Sequence, residues 1–478
     1  MLLTPEVASN TILKYMPFEP TPSQNNAIEL LGQLLTALVP RPTAIINGFA
    51  GTGKTSLMKA FCDAATEMQF NICLMAPTGR AAKVLSNITN RPAHTIHKTI
   101  YRQETTGEFN SGFELNYNRN KGTIFIVDEA SMISDYETGD FGFGSGRLLT
   151  DLVSYVFSRE ECRLLIVGDP AQLPPIGANE APALDAELMT SLGLDVDSVW
   201  LTDVVRQTEK SLILENANNI RCIIENEPDF IGIPHLKAID KTDVERVSGE
   251  NLIEKLSWAI DNYGNDNVLV VTRSNQRAKQ FNMGIRNMVL YKECELERGD
   301  MLIVSKNNYK WLGNKNTDFI ANGDIAEVRR IKKEKELFGM RFAEVTLRLK
   351  EHNDIEIDAN IMLDFLTSDA ANLTQKQEQT LYDTIAADYG DLGSQRKLYE
   401  AMKTDPWYNA LRVKYAYAVT CHKAQGGQWD VVFIDLGFVS EDMMDCEFLK
   451  WLYTAFTRAT KKLYLINFSD KFFNNSQS

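Results

Sequence analysis

Near the N-terminus stand Gly48-Phe49-Ala50-Gly51-Thr52-Gly53-Lys54-Thr55, which match the pattern G-x-x-x-x-G-K-[ST]. Glycines at this spacing let successive backbone N–H groups curl around an oxyanion. The Lys54 ammonium is long enough to reach β and γ phosphates, and the Thr55 hydroxyl suits a Mg²⁺ ion. Gly48, Ala50, Gly51, Thr52, Gly53, Lys54 and Thr55, with Ser56 beginning the next helix, are therefore the nucleotide-binding candidates. That helix adds its positive N-terminal end to the same anion.

Two further segments carry chemistry. Thr123-Ile124-Phe125-Ile126-Val127 is an apolar run ending in Asp128-Glu129. A carboxylate at the end of such a strand, opposite a phosphate loop, suits the same Mg²⁺, so Thr55 and Asp128 are the metal candidates. The neighbouring Glu129 is placed to orient and deprotonate an attacking water. Leu164-Leu165-Ile166-Val167 leads into Gly168-Asp169-Pro170-Ala171-Gln172. The Gln172 amide donates and accepts, and so could touch both a γ-phosphate and that water. Alone, this segment reads equally well as a Pro-rich turn.

These residues need elements to hold them. Residues 43–47, 71–76, 123–127 and 163–167 read as strands, and 56–68 and 79–86 as helices. Short, continuously apolar strands alternating with helices predict a parallel sheet covered on both faces. The pattern resumes with a strand at 267–272, a helix at 275–287, and strands at 415–419, 431–435 and 463–466. Between them, 301–305, 325–331, 343–349 and 355–357 read as short strands joined by Gly and Asn turns, the style of a small antiparallel barrel. Residues 363–409 are polar and helical in pattern. The fold class is α/β: two parallel-sheet domains, the second interrupted by a β-domain and a helical segment.

Composition bounds the partners. The 478 residues are too many for a single core, and 44% hydrophobic with 24% charged is ordinary for a globular protein. No apolar stretch is long enough to span a membrane and no secretory signal stands at the N-terminus, which predicts a cytoplasmic location. The seven cysteines are scattered and form no C-x-x-C pair, as expected in a reducing compartment. The net charge of −14 argues against a coat on duplex nucleic acid. It leaves room for a narrow basic channel.

In this order, these segments resemble the B-type superfamily 1 helicases of the RecD-like and Pif-type branch, the phage Dda type among them. The resemblance runs from Gln24 to about Ile466. It is carried by Ala76-Pro77-Thr78-Gly79-Arg80-Ala81-Ala82-Lys83, Thr95-Ile96-His97, Gly168-Asp169-Pro170-Ala171-Gln172-Leu173, Cys421-His422-Lys423-Ala424-Gln425-Gly426 and Tyr453-Thr454-Ala455-Phe456-Thr457-Arg458. It implies ATP and Mg²⁺ as cofactors and ATP-driven movement, 5′-to-3′, on single-stranded DNA that opens forked duplex, by a monomer. Lys54, Asp128, Glu129, Gln172, Arg206 and Arg458 become the catalytic set, the two arginines as fingers on the γ-phosphoryl oxygens. Gln24 resembles the adenine-reading glutamine, and Gly426 and Gln428 the motif near the γ-phosphate and ribose. Many relatives have Glu in place of Gln428, so ribose recognition here lacks charge assistance.

The resemblance also implies DNA contacts at Pro77, Thr78, Arg80, Lys83, His97, Thr272, His422 and Lys423. A polar insert, residues 101–117, falls where relatives carry a duplex-parting pin, with Phe109 as an aromatic wedge or a packing residue. The implied domains are a RecA-like motor at 1–205 with the pin insert at about 99–120, a second RecA-like motor at 206–297 and 411–478, and an SH3-like barrel with helical extension at 298–410. Trp407 falls where that extension returns, and packing is the favoured role for it. Two other readings stay open: a RecD-like motor subunit of an exonuclease complex, and a P-loop ATPase that remodels protein without unwinding.

Overall fold

The computed structural model describes residues 3–103, 113–136, 144–203, 211–308, 310–312, 320–350, 352, 354–368, 373–392 and 394–473. They fall into two compact units, and the segment Asp445–Thr457 belongs with the N-terminal one.

The first unit is built on β1 (Pro42–Gly48), β2 (Asn71–Ala76), β3 (Ala93–Thr95), β6 (Thr123–Val127), β7 (Arg163–Gly168) and β8 (Asp195–Leu201). They form one parallel sheet in the order β3-β2-β6-β7-β1-β8. The phosphate loop leaves β1, β7 lies between β1 and β6, and Asp128 and Asp169 follow the adjacent strands β6 and β7 on the same sheet edge. Every residue of β1 and β6 is buried, as continuously apolar strands covered on both faces must be. A short antiparallel ribbon, β4 (Tyr101–Gln103) with β5 (Phe113–Leu115), interrupts the sheet order. The tip of that insert, with Phe109, lies outside the described residues. Phe113 packs against the core of this unit.

Helix Cys446–Phe456 is a late arrival in this unit. Sequence order assigns it to the second motor domain, yet its contacts are here, and Lys450 Nζ donates to Asn179 O at 3.0 Å. Its apolar side chains Leu449, Leu452 and Phe456 are fully buried, and the helix–helix contact that hides them decides where it sits.

The second unit contains β9 (Val244–Val247), β10 (Val268–Thr272), β16 (Ala418–Thr420), β17 (Trp429–Asp435) and β18 (Ala459–Ile466). These form a parallel sheet in the order β16-β10-β17-β18-β9. The chain between β10 and β16 contributes an antiparallel sheet of β11 (Met301–Val304), β12 (Ile325–Leu337), β13 (Met340–Leu349), β14 (Ile355–Met362) and β15 (Val413–Tyr415), in the order β14-β13-β12-β11-β15. Its two edges meet: Leu411 N donates to Asn360 O at 2.7 Å and Met362 N to Leu411 O at 3.0 Å, so the sheet closes on itself. Closure removes the free strand edges. Helices Gln375–Ala387 and Gln395–Thr404 pack beside it.

Both sheets of this unit share one apolar core. A buried polar knot ties them. Asp300, fully enclosed before β11, accepts from Arg286 Nε and Nη2 at 3.0 Å, Lys292 Nζ at 2.9 Å and Tyr417 OH at 3.0 Å. Arg286 stands in a π-helical turn, Ile285–Val289, that continues the helix Asn275–Gly284. Trp407 packs: its ring meets Phe342 edge-on at 5.5 Å, under Lys335 Nζ at 4.6 Å.

Candidate nucleotide site and strand-facing residues

The phosphate loop owes its shape to two left-handed glycines, Gly51 at φ 81° and Gly53 at φ 83°. Gly53 is the residue before helix Lys54–Glu67, so the loop turns directly into the helix N-terminus. Gly48 is needed for space: a Cβ there would lie 2.8 Å from Lys54 Cγ and 3.2 Å from Leu201 Cβ. Lys54 Nζ donates to Phe49 O at 2.9 Å and to Gly48 O, and stands 3.9 Å from Asp169 Oδ2. Thr52 is buried, its hydroxyl donating to Phe49 O at 2.8 Å, whereas Thr55 is exposed at the helix start and Ser56 half-buried beside it.

Gln24 lies under this loop. Its Nε2 donates to Thr52 O at 3.0 Å, while Thr21 N donates to its Oε1 at 3.1 Å in a capping box that starts helix Pro22–Thr36. The side chain is buried, and in this arrangement it braces the loop.

The two acids after β6 differ. Burial of the Asp128 carboxyl, with Glu129 beside it, raises its pKa to about 7. Glu129 has φ of 55°, a left-handed conformation that costs a non-glycine residue about 1 kcal/mol. Its N–H donates to Asp128 Oδ1 at 2.9 Å, which holds the turn. Gln172 is buried, and its Oε1 has no hydrogen-bond partner.

Two residues outside the sequence-based set join the site. Asp169 is fully enclosed; burial pushes its carboxyl up, opposed by Lys54 and the Tyr453 hydroxyl. Tyr453, from helix Cys446–Phe456, donates to Asp169 Oδ2 at 2.8 Å and accepts the Ala50 N–H at 2.8 Å. Both stand in motifs that carry the resemblance; the acid type of Asp169 was the available signal, whereas Tyr453 opens its motif within an apolar helical pattern that reads as core.

In the second unit, Arg458 is buried and its Nη1 donates to Gly427 O at 3.1 Å. Gly426 is left-handed at φ 70°, and Gln428 is exposed. Arg206 lies outside the described residues.

Among the strand-facing candidates, Pro77, Thr78, Arg80, Lys83 and His97 are half-buried in the first unit. Thr78 caps helix Gly79–Thr89 by accepting from Ala81 N at 3.2 Å. In the second unit, His422 and Lys423 share the short helix Cys421–Ala424. Lys423 lines one concavity with Lys279, Lys414, Thr420 and Ser368. Burial, then the Lys414 charge, lowers the Lys423 pKa to about 8. Thr272 is a correction. It is fully enclosed, with its hydroxyl donated to Ser274 O at 3.1 Å, so it serves as a backbone tie and not as an outward contact.

Residues 32–222 match the AAA domain family and residues 415–466 the UvrD-like helicase C-terminal domain. The chain is 24% identical, over 93% of its length, to the ATP-dependent RecD2 DNA helicase of Deinococcus radiodurans, and covers 50% of that protein. It is 25% identical to the ATP-dependent DNA helicase dda of Enterobacteria phage T4, over 61% of this chain and 62% of that one. The matches support a B-type, RecD/Pif-like helicase of superfamily 1. The chain spans about half the length of the RecD2 relative. A crystal structure of Pif1 helicase from Bacteroides in complex with ADP-AlF3 and ssDNA superposes with a TM-score of 0.48 at 14% identity, over 96% of this chain and 95% of that one.

Proposed function

We propose that this chain is an ATP-dependent DNA helicase that moves 5′-to-3′ on single-stranded DNA and unwinds forked duplex. The observation that carries the reading is the arrangement on one sheet edge. A glycine-shaped phosphate loop, the Lys54 ammonium, the Asp128-Glu129 pair and a buried Gln172 with an unpartnered carbonyl all belong to one unit. An unpaired buried polar atom costs about 1–3 kcal/mol and is retained where a ligand or water completes it.

The donor set fits Mg²⁺. Thr55 and Asp128 offer hard oxygens, and among the described residues no group of three His, Cys, Asp or Glu could hold a metal alone. That is the composition of a site completed by nucleotide phosphates. Bound there, Mg²⁺ would neutralise charge on the phosphate oxygens. Lys54 and the loop N–H groups hold the phosphates. Glu129 takes the proton of the attacking water and Gln172 orients it. Arg206 and Arg458 stabilise charge on the γ-phosphoryl oxygens. Gly426 and Gln428 contact the ribose side, and Gln24, which braces the loop through Thr52 O, reads the adenine edge.

Single-stranded DNA is proposed to follow Pro77, Thr78, Arg80, Lys83, His97, His422 and Lys423. Backbone contacts of this kind read no sequence, as a motor on any strand requires. The insert carrying Phe109 is the proposed pin. The domain plan is proposed with boundaries near 205, 297 and 411, with the closed antiparallel sheet as the SH3-like insert. The chain is proposed to act as a monomer in the cytoplasm. No helix of the described residues is long and apolar enough to cross a membrane.

The deciding experiment compares forked duplexes with a 5′ or a 3′ single-stranded tail, with ATPase followed in parallel. Unwinding of the 5′-tailed substrate with strand-stimulated hydrolysis is expected. Hydrolysis indifferent to single-stranded DNA would sink the helicase reading in favour of a protein-remodelling ATPase. Unwinding only from 3′ tails would reverse the polarity.

A further inference from the structure

Helix Cys446–Phe456 is buried along most of its length, and two of its buried residues, Tyr453 and Thr454, carry hydroxyls. Phenylalanine would fill the core as well as Tyr453 does, so the hydroxyl has another role. Both hydroxyls meet the nucleotide site. Thr454 Oγ1 accepts from Leu173 N at 2.8 Å, next to Gln172. Tyr453 OH accepts the Ala50 N–H at 2.8 Å and donates to Asp169 Oδ2 at 2.8 Å. An amide N–H only donates, so the Tyr453 hydroxyl accepts at Ala50 and has its own hydrogen to give to Asp169. The result is a polarised chain from the phosphate loop through tyrosine to a buried carboxylate.

Asp169 has two claimants for one oxygen. Tyr453 holds Oδ2 at 2.8 Å, and Lys54 Nζ stands 3.9 Å from the same atom. The other oxygen accepts from Ala171 N at 3.0 Å. We propose that Tyr453 is a positioning residue for the phosphate site: its hydroxyl satisfies Asp169, which leaves Lys54 available to phosphate, and it pins the loop at Ala50. The inference rests on reading residues 48–55 as an ATP site. Without the hydroxyl, Asp169 takes the next donor, Lys54. MgATP must then break that pair before the ammonium reaches the phosphates. The penalty depends on the Asp169 charge, so removing that charge relieves it.

The test is calorimetric titration of MgATP into the full chain. Tyr453→Phe is expected to weaken binding about tenfold, the scale of one charge-assisted hydrogen bond. Adding Asp169→Asn to Tyr453→Phe is expected to restore affinity to within about threefold of the natural chain. A merely structural tyrosine gives losses that add in the double variant; that result, or unchanged affinity in Tyr453→Phe, overturns the inference. The natural chain supplies a readout that needs no variant to fold: the Ala50 amide is expected to be protected from hydrogen exchange, and free exchange overturns the inference too. A chain that binds MgATP without strand-stimulated hydrolysis overturns the helicase reading and leaves this measurement intact.

Discussion

Glu129 is a non-glycine residue held at φ 55° directly after Asp128, whose carboxyl has been raised to about 7. Backbone strain of this kind persists where a side chain must be aimed. Glu129→Gln keeps the shape and removes the base. It is expected to bind MgATP normally and to lower turnover at least about a hundredfold, as loss of a general base does; single-turnover hydrolysis checks it, and near-normal turnover would remove Glu129 from the mechanism. Lys423 gives a pH prediction. Its pKa of about 8 lies below the usual lysine value, so its charge is present below pH 8 and fades above it. A strand phosphate restores that charge, so single-strand affinity should fall by up to about tenfold between pH 7 and 9. Anisotropy titrations at constant ionic strength read this, and Lys423→Met should flatten the profile. At this scale the phosphate loop was legible because glycines and lysine at fixed spacing have few other uses. Asp169 and Tyr453 were not, since their roles come from meeting across 284 positions of chain, which no local pattern encodes. Thr272 shows the converse: the right residue type at a plausible place, turned inward by its own backbone.

The elements were more legible than their partnerships. Strands β2 and β6 fall on the residues that apolar runs predicted, whereas β12 extends to Leu337 because it pairs along β13 well beyond its apolar start. Closure of the antiparallel sheet rests on Leu411 and Asn360, whose sequence context is featureless. The Arg286–Asp300 knot was invisible for the same reason: an arginine in a polar helical pattern reads as surface, yet it is buried in a π-helical turn. Asp300 neutralises both Arg286 and Lys292. Asp300→Ala would leave two uncompensated cations, and removing one partner of a buried pair costs about 3–5 kcal/mol. Denaturant unfolding should show an early transition in the second unit, with tyrosine or tryptophan probes in the first unit reporting the later one. A single unshifted transition would mean the knot contributes little.

At the scale of the whole molecule the conflict is one of charge: 64 acidic against 50 basic side chains, in a chain proposed to track a polyanion. Long-range repulsion from a surface of that sign is screened within about 8 Å at physiological salt. Local contacts therefore decide binding, and three of the proposed ones are basic side chains: Arg80, Lys83 and Lys423. Each phosphate neutralised on a single strand contributes about −0.7 to the slope of log affinity against log salt. A slope near −2 follows, steepening toward about −3.5 if Lys279 and Lys414, in the same concavity as Lys423, take phosphates as well. Lys83→Ala and Lys423→Ala should each flatten the slope by about 0.7 and weaken binding equally for strands of any sequence, because backbone contacts carry no code. A slope near zero would show that the lysines do not face the strand. A slope much steeper than about −3.5 would place the strand on basic residues outside this set.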